Sequence, residues 1–305
     1  MNSEVRWHVV DRAGSTNADL AAHAVADPAA WPHLSALLAR EQTAGKGRAG
    51  RGWDTTNVAA LTFSMLLRPT LDRDRWGWLP LLTGLAVVRA IRAQVRAAAG
   101  ASAIGDGRTD ARASTDGPAG ADARPAADGH TSTDRAADVL LKWPNDVVVR
   151  SRESREEPGW GADRKLGGIL AEVLTDGAGV VVGTGLNLDG GPLPVPWATT
   201  LAAEGLIAAG DSTPYARADG LAGAIEVELL EVFGRLDDGQ DPRLLVEPVC
   251  ATLGQQVRVD LPGDQHCTGL ARALDPYGGL VLQTPGAERT IYAGDVRHLR
   301  PVAGS

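Results

Sequence analysis

The sequence predicts an α+β protein, with helices packed on a mostly antiparallel sheet and a small β-barrel at the C-terminal end. Three strand-like runs, at 139–149, 165–174 and 179–188, are joined by loops too short for crossover helices, which makes them antiparallel neighbours. Two segments repeat apolar residues every three or four positions: Leu81, Leu85, Val88, Ile91 and Val95 in one, Leu221, Ile225, Leu229, Val232 and Leu236 in the other. Each series marks one face of a long helix. Beyond Gly254, the short runs QQVRVDL, CTGLARALD, GLVLQT and RTIYAG are separated by Pro/Gly turns, a spacing that suits a barrel of about 50 residues.

Taken in order, residues 17–27 read as a short helix with Ser15 or Thr16 as its cap and Pro28 beyond its end. Strands at 34–41 and 58–68 flank a glycine-rich loop, and the first long helix covers 74–98. Residues 101–137 are compositionally foreign: 29 of the 37 are Ala, Asp, Gly, Thr or Ser, and Ile104 is the only large apolar residue. Such a stretch cannot offset its ordering entropy, so it reads as a disordered insertion. A second polar loop covers 151–164. Thr213-Pro214 opens the second long helix, and a further helix runs from Pro242 toward Thr252, with Gly254 as its stop. The expected division is a large domain at 1–249 and a small one at 250–305, with no internal repeat.

Composition narrows the function. Acidic residues outnumber basic ones 38 to 30 for a net charge of -8, so overall charge gives no support to nucleic-acid binding. Cys250 and Cys267 stand far apart, without disulfide-scaffold or zinc spacing, a usage that suits the reducing cytoplasm. Glu4 and Arg6 interrupt any signal-peptide core, and no stretch reaches the roughly 18 uninterrupted apolar residues of a membrane span.

Chemistry concentrates in a few segments. Residues 41–53, EQTAGKGRAGRGW, set four glycines and three cations between two strands, a loop whose backbone can approach an anion that its side chains attract. No Gly-Lys-Ser/Thr closes it and no helix follows, so it is neither a P-loop nor a dinucleotide fingerprint; the bland alternative is a basic surface loop. At Lys142-Trp143-Pro144-Asn145-Asp146 a proline interrupts an apolar strand pattern and carries Lys142 and Asp146 into a core. Buried charges must be paired or must meet a charged ligand, and the bland alternative here is a structural salt bridge. Glycine pairs at Lys165-Leu166-Gly167-Gly168 and Gly183-Thr184-Gly185-Leu186-Asn187 weaken strands unless something approaches their backbone; sheet twist or a bulge would also explain them.

Together with Ser15-Thr16-Asn17, and in this order along the chain, these motifs resemble those of the biotin protein ligases of the biotin/lipoate ligase superfamily. The resemblance runs from about Asp11 to Asn187, with the C-terminal barrel also in the expected position. It implies a mixed sheet of the class II synthetase-like biotin ligase type with helices on one side, then an SH3-like barrel. It also implies a reaction in which biotin carboxylate attacks the α-phosphorus of ATP to give biotinyl-5′-AMP and pyrophosphate. A lysine of a biotin carboxyl-carrier domain then takes the biotinyl group. Biotin and ATP are two anions that must be brought into contact, and fixed cations offset their repulsion.

By resemblance, Lys142, Arg48 and Lys165 are the catalytic residues, with Lys142 stabilising transition-state charge. Ser15, Thr16, Asn17, Gln42, Gly45, Lys46, Gly47, Arg48, Lys165 and Gly168 bind biotin. Arg48, Arg51, Trp53, Lys142, Asn145, Asn187 and Trp197 bind ATP. Magnesium (Mg2+) arrives with ATP rather than in a side-chain cage. Lys46 stands where the family often has arginine, which keeps the charge and loses a bidentate fork. The partners implied are carrier domains of acyl-CoA carboxylases, with no DNA and no membrane; a homodimer is left open. A lipoate ligase, a non-catalytic biotin binder and a biotin-sensing repressor are the alternatives. The repressor would carry a DNA-binding domain before Ser15-Thr16-Asn17.

Overall fold

The computed structural model describes residues 4–54, 58–106, 132–152, 156–207 and 214–299. Seven strands form the main sheet: β1 (Arg6–Ala13), β2 (Ser35–Gln42), β5 (Val58–Leu67), β6 (Val139–Lys142), β7 (Asp146–Arg150), β8 (Asp163–Val173) and β9 (Val180–Gly190). The short strands β3 (Gly45–Lys46) and β4 (Gly52–Trp53) pair with each other outside it. The order across the main sheet is β1-β2-β5-β9-β8-β7-β6. β1 and β2 are parallel and every other pair is antiparallel. The parallel pair follows from its connection, because α1 (Thr16–Ala26) carries the chain back before β2 begins. β1 has no counterpart among the predicted strands: Arg6, His8, Asp11 and Arg12 dilute its apolar pattern, and as an edge strand it is largely exposed.

The run at 139–149, read as one strand, is a hairpin. Proline has no N–H for the ladder, and Trp143-Pro144, joined by a cis peptide, turns the chain so that Lys142 pairs with Asp146. Alternation along the strands separates two faces. Leu38, Phe63, Met65, Val182 and Leu186 meet the long helices α2 (Leu79–Asp106) and α4 (Pro214–Asp237) in one core. Leu37, Leu66 and Val181 face the other way, against Leu20 and Ala24 of α1. Helices therefore cover both faces, not one. Among the described residues one short helix, α1, covers the second face, and the part it leaves open becomes the floor of a cleft.

The helical stretch Arg73–Gly100, which takes in most of α2, is long and apolar enough to cross a membrane by length and composition; 72% of its apolar window is buried inside the fold, as befits a core helix. α2 extends to Asp106, and α3 (Ser132–Ala137) packs Ala136 into the core, so both described ends of the segment 101–137 are helical, unlike the expectation from composition. Residues 107–131 lie outside the described residues. α5 (Pro242–Val246) stops sooner than predicted, because Pro248 leaves only a 3-10 turn at Glu247–Val249.

The chain ends in a five-stranded antiparallel sheet of β10 (Gln256–Asp260), β11 (His266–Leu274), β12 (Leu280–Gln283), β13 (Glu288–Ile291) and β14 (Asp295–His298), ordered β13-β12-β11-β10-β14. Its apolar side joins the main core. Indole N–H groups stitch the seam, Trp78 donating to Pro276 O at 2.9 Å and Trp143 to Gly278 O at 3.0 Å. The backbones meet closely here: a Cβ on Gly77 would lie 2.7 Å from Tyr277 O.

Candidate active site

The uncovered part of the sheet, the start of α1 and the glycine-rich loop enclose a cavity of about 230 Å3. Its floor is glycine because its neighbours need the space. Gly168 of β8 lies opposite Gly185 of β9. A Cβ on Gly185 would come within 2.5 Å of the Trp53 ring, and one on Gly183 within 2.2 Å of Asn17 Oδ1. The glycines let Trp53 and Asn17 seat directly on the sheet, and these two side chains then line the cavity.

One end of the cavity is lined by uncharged hydrogen-bonding side chains, backed by the Glu172 carboxylate. Thr16 donates to Gln42 Oε1 from its backbone N (2.9 Å) and its hydroxyl (3.1 Å). Gln42 rather than the Ser15 side chain therefore satisfies the first turn of α1. Ser64 Oγ lies 2.7 Å from Thr16 Oγ1 and 2.6 Å from Asn17 Oδ1, and Asn17 Nδ2 donates to Leu170 O and Glu172 Oε2. Ser15, Thr16, Asn17 and Ser64 are buried, so the network is rigid before a ligand meets it.

The other end is cationic. β3 and β4 close the glycine-rich loop, and its tip turns through positive φ at Ala49 and Gly50. Arg48 donates to Asn145 Oδ1 at 3.2 Å and Arg51 to Arg48 O at 3.2 Å; Arg51 also pairs with Asp295 at 3.0 Å. Burial pulls the Arg48 guanidinium below its ordinary pKa, with Asp295 and Asp146 working the other way. Lys165 Nζ lies 2.6 Å from Asp146 Oδ1, beside Gly168. Asn145 Nδ2 donates to Ile169 O and Asn187 Nδ2 to Thr199 O, which fixes both amides at the wall. The Nε1 of Trp53 is buried against Gly185 and has no hydrogen-bond partner among the described residues.

Of the predicted residues, Ser15, Thr16, Asn17, Gln42, Lys46, Gly47, Arg48, Arg51, Trp53, Asn145, Lys165, Gly168, Asn187 and Trp197 all line this cavity. Gly45 and Lys142 do not. Gly45 is a packing position, since a Cβ there would lie 2.4 Å from Trp53 O and 2.6 Å from Gln42 Nε2. Lys142, expected to face the reacting phosphate, points into the seam with the C-terminal sheet. It is 3% exposed, donates to Val296 O at 2.5 Å and lies 3.7 Å above the Trp160 ring. Burial lowers its pKa to about 8. The reason is local: Leu141 and Trp143 on either side are buried, and β14 supplies the acceptor.

The wall also contains residues outside the predicted set, among them Thr62, Thr184, Asp146 and the run 193–195. In the sequence Asp146 reads only as a charge entering a core, because its proximity to Lys165 depends on strand register. Leu193, Pro194 and Val195 form an apolar wall from a loop with no periodicity to read. Among the described residues no group of three or more His, Cys, Asp or Glu is placed to hold a metal ion.

Residues 15–189 match the Biotin/lipoate A/B protein ligase family, and residues 252–299 match the biotin protein ligase C terminal domain. The chain is 34% identical over 296 residues to a biotin--[acetyl-CoA-carboxylase] ligase of Mycobacterium tuberculosis, an alignment covering 96% of this chain and 88% of that protein. It is 26% identical to the bifunctional ligase/repressor BirA of Bacillus subtilis, covering 87% of this chain and 66% of that one. Its fold is similar to that of a biotin protein ligase from Aquifex aeolicus solved in complex with biotin and ATP, with a TM-score of 0.63, 21% identity, and 97% and 99% of the two chains covered.

Proposed function

We propose a function from one premise: the chain belongs to the Biotin/lipoate A/B protein ligase family. It is an ATP-dependent biotin protein ligase, which joins biotin to AMP and then transfers the biotinyl group to a lysine of a carrier domain. The observation that carries this reading is the pairing, within one cavity, of a rigid hydrogen-bonding end free of cations with a cationic end. A ureido ring needs both donors and acceptors, which Thr16, Asn17 and Gln42 supply at one end, with Ser64 behind them holding Thr16 and Asn17 in place. The dithiolane of lipoate has no such need, so this end favours biotin over the lipoate alternative.

Biotin then lies along the glycine floor, with its carboxylate toward Lys165 and Arg48 and the nucleotide phosphates toward Arg48, Arg51 and Lys46. These cations hold two anions together and meet the charge that develops as a carboxylate oxygen bonds to the α-phosphorus and pyrophosphate departs. The same donors retain the adenylate until the amine of the carrier lysine attacks its acyl carbon, forming the amide and releasing AMP. Lys142 takes no direct part; its charge is committed to the seam. Asn145, Asn187 and Asp146 offer the oxygen donors that would hold magnesium, which arrives on the phosphates and neutralises part of their charge. The partner is a biotin carboxyl-carrier domain of an acyl-CoA carboxylase, and the setting is the cytoplasm.

Purified protein with magnesium-ATP and biotin should form biotinyl-AMP and label a carrier domain. Adenylation of lipoate in preference to biotin, or biotin binding without ATP consumption, would replace this reading with one of its alternatives.

A further inference from the structure

Trp160 belongs to no predicted site and does not line the cavity, yet it joins three parts of the molecule. Its ring stacks on Trp197 with centroids 6.0 Å apart and planes 9° from parallel, an offset stack. Lys142 Nζ lies 3.7 Å above the same ring. The turn that carries it is held from two directions. Trp160 N and Gly161 N both donate to Glu157 O, and Glu157 N donates to Gly161 O, while His298 N of β14 donates to Gly159 O at 2.9 Å. Gly159 and Gly161 adopt positive φ, which an L side chain would strain, so the sequence around Trp160 is suited to this turn.

Trp197 stands in the cavity wall, in a loop outside regular structure. Its backbone is fixed, since Lys165 N donates to Trp197 O at 2.7 Å and Thr199 N to Lys165 O at 2.9 Å. Backbone hydrogen bonds leave the tilt of an indole undetermined; the surface it stacks on decides that tilt. From this geometry we infer that Trp160 is a positioning residue for the nucleotide: its clamped ring sets the plane of Trp197, against which the flat base of ATP stacks. The inference rests on the reading of the cavity as a biotin and ATP site. It adds that the C-terminal sheet acts on the base through β14, by way of the Trp160 turn and the Val296 carbonyl that holds Lys142.

The test uses the full chain with Trp160→Leu and Trp160→Phe, and follows biotinyl-AMP formation. W160L should raise the KM for ATP about three- to tenfold, the range an aromatic stack is worth. Its kcat at saturating ATP, its biotin affinity and its inhibition by pyrophosphate should stay near those of the parent, while inhibition by AMP weakens. W160F, which restores a stacking ring, should recover most of the loss. A folded W160L with unchanged KM for ATP, or a W160F no better than W160L, would overturn the inference, as would equal losses in biotin and pyrophosphate affinity. If W160L does not fold, the comparison of W160F with the parent decides: an unchanged KM for ATP supports the inference and a KM raised tenfold overturns it. A parent chain that forms no biotinyl-AMP would overturn the underlying reading itself, a result distinct from an active parent with an indifferent W160L.

Discussion

Lys142 and Lys165 stand on strands that flank β7, and both lie close to Asp146, yet the molecule uses their charges differently. Lys165 keeps a quarter of its side chain exposed, pairs with Asp146 at 2.6 Å and faces the cavity. Lys142 is closed off, bonded to Val296 O and covered by Trp160. A cation serves a reaction only where a ligand can reach it in place of water. Once the C-terminal sheet closes over it, the same ammonium becomes a fixed donor joining two sheets. The cleft is built to exchange partners and the seam is built to keep them.

The largest effect expected from this contrast is on chemistry in the cleft. Lys165→Ala should slow single-turnover formation of biotinyl-AMP by ~10²-fold or more, the usual loss when one fixed electrostatic donor is removed. Its melting temperature should change little, because Asp146 still reaches water. Lys142→Met should reverse the pattern: about 1–3 kcal/mol of stability lost through an unsatisfied Val296 carbonyl, read as a fall in melting temperature, with adenylation in the surviving folded protein far less affected than in K165A. A K142M variant that keeps its melting temperature and loses adenylation as severely as K165A would erase the contrast.

Acid and base sharpen the same comparison. The imidazole of His298 in the seam is held to a pKa of about 4 by burial, assisted by Lys142 and Arg150. Asp163 Oδ2 lies 3.5 Å from its Nδ1, but that contact does not outweigh desolvation, so the ring stays neutral. The unfolded chain takes up this proton near pH 6.5 and the folded chain only near 4. Stability from this group is therefore present in full above pH 6.5 and is lost as pH falls toward 4. His298→Gln should flatten that part of the melting-temperature profile. Lys142 acts at the other extreme: with a folded pKa of about 8 against 10.5, the unfolded chain binds more protons between these values, and stability rises with pH across that window. K142M should abolish the rise, and a rise that persists would assign it elsewhere.

The smallest effect is expected where seam and cleft touch at the surface. Arg51 and Asp295 are half exposed, and Asp295→Asn should change stability by only ~0–1 kcal/mol, measured by denaturant titration. A larger loss would mean that the glycine-rich loop depends on the C-terminal sheet for its fold.

Much of this protein is legible in its sequence. The faces of α2 and α4, the three central strands and the glycine-rich loop follow from residue type and spacing, because periodicity and glycine placement report how each element faces its immediate surroundings; the sixteen site residues come from the family resemblance, and fourteen of them line the cavity. What tertiary structure alone decided is which of those surroundings is ligand and which is protein. The sequence shows Lys142 as a cation among apolar neighbours, but whether it meets a phosphate or the Val296 carbonyl depends on a strand more than 150 residues away. The same holds for α1, whose apolar stripe does not say which face of the sheet it will cover, and for Leu193, Pro194 and Val195, whose wall exists only once the loop has folded over the cleft. Side-chain direction within an element is a local property of the chain; what stands opposite that side chain is settled by long-range packing.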